Sequence, residues 1–211
     1  MKITKLGHCC LVLETEGLKI MTDPGVFTRE AQEKVEGIDI VALTHEHGDH
    51  LHVESLKNIL EKNPNAHVVS NASVAKLLHE QGIESTQIGG GESAEVKGIK
   101  IEGFGHDHAV IYEGMGQVEN TGYMVGEKFY FPGDSFCNPK KSVDILALPV
   151  AGPWMKIGEA VDYLKEMKPR VAFGVHDGIM IPGFRGFPVA LFEKYAPGVY
   201  VSIPDGESKE F

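Results

Sequence analysis

The run Thr44-His45-Glu46-His47-Gly48-Asp49-His50 places three imidazoles and an aspartate within six residues. It follows the apolar stretch Ile40–Leu43, which reads as a buried strand, so it lies where a strand gives way to a loop. In an extended chain residues i and i+2 project from the same side, which aims His45 and His47 at one point. Gly48 lets the backbone turn sharply, so Asp49 and His50 can face a second point nearby. Imidazole and carboxylate donors at this spacing suit zinc, manganese or iron. A polar loop of solvated histidines is the bland alternative, and the position directly after a buried strand weighs against it. The chain holds ten histidines in 211 residues, more than packing requires.

The elements that position this run read as hairpins first and helices later. Strand-like segments fall at Lys2–Leu6, Cys10–Thr15, Leu18–Thr22 and Asp39–Leu43, with Glu16-Gly17 as a hairpin turn. A helix over Val53–Lys62 stops at Asn63-Pro64, and a strand over His67–Ser70 leads to a second helix. Asn71 caps that helix, Val74, Leu77 and Leu78 repeat at helical spacing, and Gly82 ends it. Further strands are expected at Ser93–Val96, Ile99–Phe104, His108–Tyr112, Thr121–Val125 and Lys128–Phe131, with a turn at Gly126-Glu127. The strand Asp144–Pro149 precedes a helix over Lys156–Lys168 that Pro169 closes. Val171–Val175, a short helix Pro188–Tyr195 and Val199–Ile203 complete the pattern. Hairpins followed by strand–helix alternation imply mixed sheets covered by helices, not a purely parallel sheet.

A net charge of −10 argues against a nucleic-acid partner, since phosphate contacts need clustered Lys and Arg. No stretch approaches the length of a membrane span, so no membrane partner is expected. Three cysteines cannot all pair within one chain, and Cys9 and Cys10 are adjacent; free, buried thiols in a reducing compartment are expected. The opening MKITKLGHCC has no long apolar core, which reads as cytoplasmic. No internal repeat and no Ser/Pro-rich linker divides the chain, so residues 1–211 read as one domain.

The HxHxDH pattern of His45–His50 resembles the signature of the metallo-β-lactamase fold superfamily. Other motifs support the resemblance in chain order: Thr22-Asp23-Pro24-Gly25, Phe104-Gly105-His106-Asp107-His108-Ala109, Phe131-Pro132-Gly133-Asp134-Ser135 and Gly174-Val175-His176-Asp177. Leu6-Gly7-His8 and the short length look more like the branch of ascorbate-6-phosphate lactonase-like hydrolases. The resemblance implies an α/β (α+β) fold, a four-layer αββα sandwich of two mixed sheets. It implies two divalent ions, zinc first and manganese or iron as alternatives. One ion would be held by His45, His47 and His108, the other by Asp49, His50 and His176, with Asp134 bridging. His106 and His108 both match the third-ligand context. His108 is favoured because it opens the strand expected at His108–Tyr112, leaving His106 beside the site. Asp23 reads either as a turn residue before Pro-Gly or as the partner of a ligand histidine. His8 is either structural or at the rim, and Asp134 either a turn residue or the bridge. His52, His67 and His79 read as surface residues.

Two such ions about 3.5–4 Å apart can share a hydroxide that attacks a carbonyl or phosphoryl centre. Asp49 would then orient the nucleophile and take a proton. No Gly-x-Ser-x-Gly is present, which weighs against a serine hydrolase. The expected activity is hydrolysis of a small ester, lactone or phosphodiester. A nuclease of the same fold is the alternative, although some forty residues between Asp134 and His176 leave no room for the inserted domain of RNA-processing relatives. An iron-binding redox or sensor protein is another, weakened because the flavodoxin-like domain of diiron members is missing. Trp154, Lys156, Phe184 and Arg185 fall in two segments that could line a pocket. Arg185 or Lys156 is expected to pair with an anionic substrate group, against the alternatives of a core Trp154 and a solvated Arg185. The resemblance is compatible with self-association.

Overall fold

The computed structural model describes residues 1–211. Strands β1 (Lys2–Gly7), β2 (Cys10–Thr15) and β3 (Leu18–Thr22) form a meander, followed by the short helix α1 (Arg29–Gln32). Then come β4 (Ile40–Leu43), α2 (Val53–Lys62), β5 (His67–Ser70), α3 (Ala72–Glu80) and β6 (Thr86–Gln87). A second meander of β7 (Ser93–Val96), β8 (Ile99–Phe104), β9 (Gly122–Val125) and β10 (Phe129–Phe131) leads to β11 (Ile145–Pro149) and α4 (Ile157–Met167). The chain continues through β12 (Val171–Val175), α5 (Gly186–Tyr195) and β13 (Tyr200–Val201), and β14 (Ser208–Glu210) returns to pair with β1.

Two seven-stranded sheets result, ordered β14-β1-β2-β3-β4-β5-β6 and β13-β12-β11-β10-β9-β8-β7. Both are mixed: β14 to β3 and β7 to β10 pair antiparallel, while β3 to β6 and β10 to β13 pair parallel. Period-2 alternation sorts the apolar side chains into layers. Leu11, Leu13, Ile20 and Ile40 face Tyr123, Phe129, Ile145 and Phe173 between the sheets. Their neighbours Val12, Met21 and Val41 pack outward under α2 and α3 through Leu56, Ile59, Val74 and Leu78. Tyr130, Leu146 and Ala172 do the same under α4 and α5 through Val161, Leu164 and Phe192. Strands β4, β11 and β12 are buried along their whole length because both of their faces are covered. The four-layer αββα sandwich is therefore present.

The turns Glu16-Gly17 and Gly126-Glu127 hold positive φ at both residues, the geometry that matches the twist of a two-residue hairpin. Asn71 caps α3 by accepting from the Val74 amide at 3.0 Å. His52, read from sequence as a surface residue, caps α2 by accepting from the Ser55 amide. One expected strand is absent. His108–Tyr112 is irregular and runs into a 3-10 turn at Glu113–Met115. Its β-branched and aromatic residues suit a strand, but the β8–β9 ladder ends at Phe104 and Gly122, leaving the segment no pairing partner. The polar β14 carries no alternating apolar signal and went unread.

Strand direction sets the site. The C-terminal ends of β1, β3, β4, β8, β10 and β12 all open on one edge of the sandwich, and residues 8, 23, 45–50, 108, 134 and 176 follow those ends. Ligand sites of open α/β sheets form outside strand carboxyl ends for the same reason.

Candidate metal centre

At this edge two groups of donor atoms converge. His45, His47 and His108 place one ring nitrogen each within 4.8 Å of one another, and His8, Asp49, His50 and His176 form a second such group. Asp134 stands between them. Its Oδ1 is 3.1 Å from His50 Nε2, and its Oδ2 is 3.3 Å from His108 Nε2 and 3.0 Å from His176 Nε2.

Asp23 holds the back of this arrangement. Fully buried, its carboxylate accepts from the Thr44 amide at 2.8 Å, the Thr44 hydroxyl at 2.6 Å and His50 Nδ1 at 2.6 Å. Because the Thr44 hydroxyl donates to Asp23, it accepts from His45 Nδ1 at 3.0 Å. His108 Nδ1 donates to the Ala109 carbonyl. In His45 and His108 Nδ1 carries the proton, so Nε2 presents its lone pair to the centre, while in His50 the Nδ1 proton is held by Asp23 and Nε2 faces Asp134. The Nε2 atoms of His45, His50, His108 and His176 and Oδ1 of Asp134 are buried without a hydrogen-bond partner. Lone pairs of imidazoles facing a carboxylate repel one another unless a cation sits among them, so the residues fit divalent metal. Asp23 is also a turn residue, at φ +37° with its carbonyl accepting from the Gly25 amide; both readings of it hold together. A Cβ on Gly25 would lie 1.8 Å from the Asp49 carbonyl, so only glycine lets this turn back the ligand loop.

The electrostatics follow from burial and from Asp134. Burial lowers His45 well below the usual histidine value and lowers His47 too, keeping both rings neutral. Burial opposes charge on His50 as well, yet the Asp134 carboxylate outweighs it and raises that ring well above the usual value. His50 and the donors around it in turn hold the buried Asp134 well below the carboxylate range. A cation at Asp134 would take over this pairing and release the proton, so metal binding and proton release are linked.

His8 belongs to the arrangement as an orienting group. Its Nδ1 accepts from the Gly178 amide at 3.2 Å, so Nε2 carries the proton and donates to Asp49 Oδ2 at 3.2 Å. Burial lowers its pKa to about 4, which keeps it neutral. Asp49 sits below the normal carboxylate range; burial works against this, but His176 Nε2, 3.4 Å from its Oδ2, and the hydrogen bond from His8 prevail. Cys9 Sγ lies close to His50 and Asp134, and burial pushes its thiol up to about 12.

Other expected site residues lie elsewhere or act differently. His106 is 75% exposed and bonded to Asp107 at 2.8 Å, away from the donors, so it is not a neighbour of the centre. His108 reaches the centre from a loop, not from the start of a strand. Trp154 is buried, and its indole donates to Asp134 Oδ2 at 2.7 Å instead of lining a pocket wall. Arg185 is bonded to Asp205 and lines a cavity with Lys5, Asp177 and Tyr200, so it is not free for an anion at the donors. Lys156 starts α4, its amide donating to Glu159 at 2.6 Å. Phe184 is half exposed, in an apolar groove with Met155 and Phe187.

Three supports escaped sequence reading. Thr44 and Asn120 carry no recognisable signal. Asn120 accepts from the Asp134 amide at 3.0 Å and donates to the Pro132 carbonyl at 2.9 Å. Gly133 makes this turn possible at φ +65°, where a Cβ would fall 2.2 Å from Asn120 Oδ1. Lys5, almost fully buried, donates to Asp177 at 2.7 Å and ties the residue after His176 to β1.

The chain is 35% identical over 191 residues to protein Rv0786c of Mycobacterium tuberculosis, covering 88% of each. It is 29% identical to a protein of Thermoplasma acidophilum named a metal-dependent hydrolase, covering 83% of each. The structure of Igni18, described as a metallo hydrolase from Ignicoccus hospitalis, shares the fold with a TM-score of 0.79 and 22% identity. That match covers 100% of this chain and 98% of Igni18. The profile of the beta-lactamase superfamily domain matches residues 2–176, and the chain belongs to that family.

Proposed function

We propose that this metal-dependent hydrolase works through two divalent ions, zinc or manganese, and cleaves a small ester, lactone or phosphodiester. His45, His47 and His108 would hold one ion and Asp49, His50 and His176 the other, with Asp134 placed between the two groups. The ring of buried, unpartnered Nε2 atoms around Asp134 is the observation that carries this reading. When bound, such ions polarise the substrate oxygen and lower the pKa of water toward neutrality.

The chain's own residues do the rest. Asp23 and Thr44 fix the tautomers of His50 and His45. Trp154 and Asn120 hold the side chain and the backbone of Asp134. Asp49, partly open to solvent and ionised at neutral pH, accepts the proton of the attacking water and can return it to the leaving group. His8 keeps that carboxylate aimed.

Metal analysis of the purified protein, with a panel of lactones, phosphodiesters and thioesters assayed with zinc and with manganese, tests the reading. Two zinc or manganese ions per chain and activity lost in His47→Ala and Asp134→Ala support it. Variants that keep both metal content and activity overturn it, as does redox-active iron in a protein that hydrolyses nothing.

A further inference from the structure

The loops around the donors carry almost all the exposed apolar bulk of the molecule. Of eleven exposed large apolar side chains, all but Tyr195 lie on Val26–Phe27, Val110–Met115 and Ile179–Phe187. Those segments follow Asp23, His108 and His176. Single exposed apolar residues need no explanation, but a contiguous set at one site marks a binding surface.

Two recesses open within this rim. One, of about 140 Å³, lies against His47 and His108 and is walled by Ile111, Met115 and Val118. The other, of about 260 Å³, is walled by Met155, Ile157, Met180, Phe184 and Phe187. Gly152 in its wall touches the Trp154 indole that binds Asp134: a Cβ there would lie 2.8 Å from Nε1. The groove therefore ends one side chain away from the donors. Phe184 and Phe187 stack with ring centroids 5.1 Å apart and form one of its sides. No charged residue lines this groove, and Arg185 and Lys5 are bonded to Asp205 and Asp177.

We propose that the substrate carries an apolar acyl or alkyl chain next to the bond that is cleaved, seated in the groove of Met155, Met180, Phe184 and Phe187. This replaces the anionic group expected from Arg185, and it rests on the hydrolase reading of the donor site. The contact of the groove's wall with the Trp154 indole that holds Asp134 favours a substrate chain over a docked partner. A net charge of −10 opposes docking on an anionic membrane.

Straight-chain alkyl hydroxamates test this, because the hydroxamate head binds only if metal is present while the tail probes the groove. Calorimetric titration of the metal-loaded protein is run from acetohydroxamate to decanohydroxamate. The expected gain is about fourfold in affinity per methylene until the groove is filled. In Phe187→Asp, and separately in Phe184→Ser, the loss grows with chain length. Both positions are about half exposed, so both variants should fold, and their metal content and melting temperature verify it.

Acetohydroxamate binding with no gain from longer tails overturns the inference and leaves the metal centre standing. No binding by any member overturns the metal-centre reading and this inference with it. A chain-length gain lost in Met115→Asp but kept in Phe187→Asp places the tail beside His47 and overturns the groove assignment. A flat series with a dimer that Phe187→Asp dissociates, or with binding to anionic vesicles, makes the rim an interface instead and also overturns it.

Discussion

The two halves of the molecule have the same plan and use it differently. In each sheet three antiparallel pairings run into three parallel ones, so β3, β4 and β5 occupy the places that β10, β11 and β12 hold in the other. After β3 comes Asp23 and after β10 comes Asp134, each at a turn built on glycine. Asp23 faces the backs of the rings and fixes their tautomers, whereas Asp134 faces their fronts and sees the lone pairs. After β4 comes the whole donor run His45–His50, while the β11 loop supplies only the Trp154 indole that holds Asp134. The first half thus carries a preassembled frame on one loop. The second delivers single donors from separate strand ends, and these meet the frame only when both sheets are packed.

This division of labour ranks the expected losses. Asp134→Asn removes charge from the one carboxylate shared by both donor groups. It should lower kcat/KM by about 10³-fold, several kcal/mol of charge stabilisation, with metal content falling below two ions per chain. Asp23→Asn leaves every donor in place and disturbs only orientation. Competition against a chelator should show metal affinity about 10- to 100-fold weaker, with kcat/KM reduced less than in Asp134→Asn. If Asp23→Asn proves the more damaging, the halves do not divide front from back as the hydrogen bonds indicate.

Trp154→Phe sharpens the comparison, because it keeps the ring and deletes only the N–H that meets Asp134 Oδ2. A hydrogen bond to a charged group is worth about 1.5–3 kcal/mol, and part of it is recovered when a cation serves the same oxygen, so metal affinity should fall about tenfold. An unchanged affinity would mean that Asn120 alone positions Asp134.

The same asymmetry explains what could be read from the amino-acid order. Six residues after a buried strand carry four donors, and strand periodicity alone aims two of them at one point. Hairpin turns and helix caps were legible too, because their signals are local. Asp134 and His176 are single residues just after short strands, and only their likeness to known motifs draws notice to them. Trp154 reads equally as a core or a pocket residue, since its partner lies twenty residues back across a crossover. The segment after His108 misled for a physical reason: Val110, Ile111 and Tyr112 have strand propensity, but propensity does not supply a neighbouring strand. Arg185 looked free because Asp205 comes to it from the far side of α5.

The smallest effect tests whether the first half's frame stands without metal. Cys9 lies beneath the frame, close to His50 and Asp134, and burial pushes its thiol up to about 12; burial raises Cys10 as well. Cys137, in the second half, is raised by burial too but is partly open to solvent. The thiolate is the reactive form, so iodoacetamide at pH 8 should label Cys137 alone in the folded protein and all three cysteines in denaturant. Mass spectrometry reads this directly, and hydrolytic activity should not change on labelling, because Cys137 contacts none of the donors. The frame's hydrogen bonds run from Thr44 and His50 to Asp23 and from His45 to the Thr44 hydroxyl, without reference to an ion. Chelation should therefore leave Cys9 as protected as before. Labelling of Cys9 after chelation, with Cys137 labelling unchanged, would mean that the ions and not Asp23 hold the first half in place.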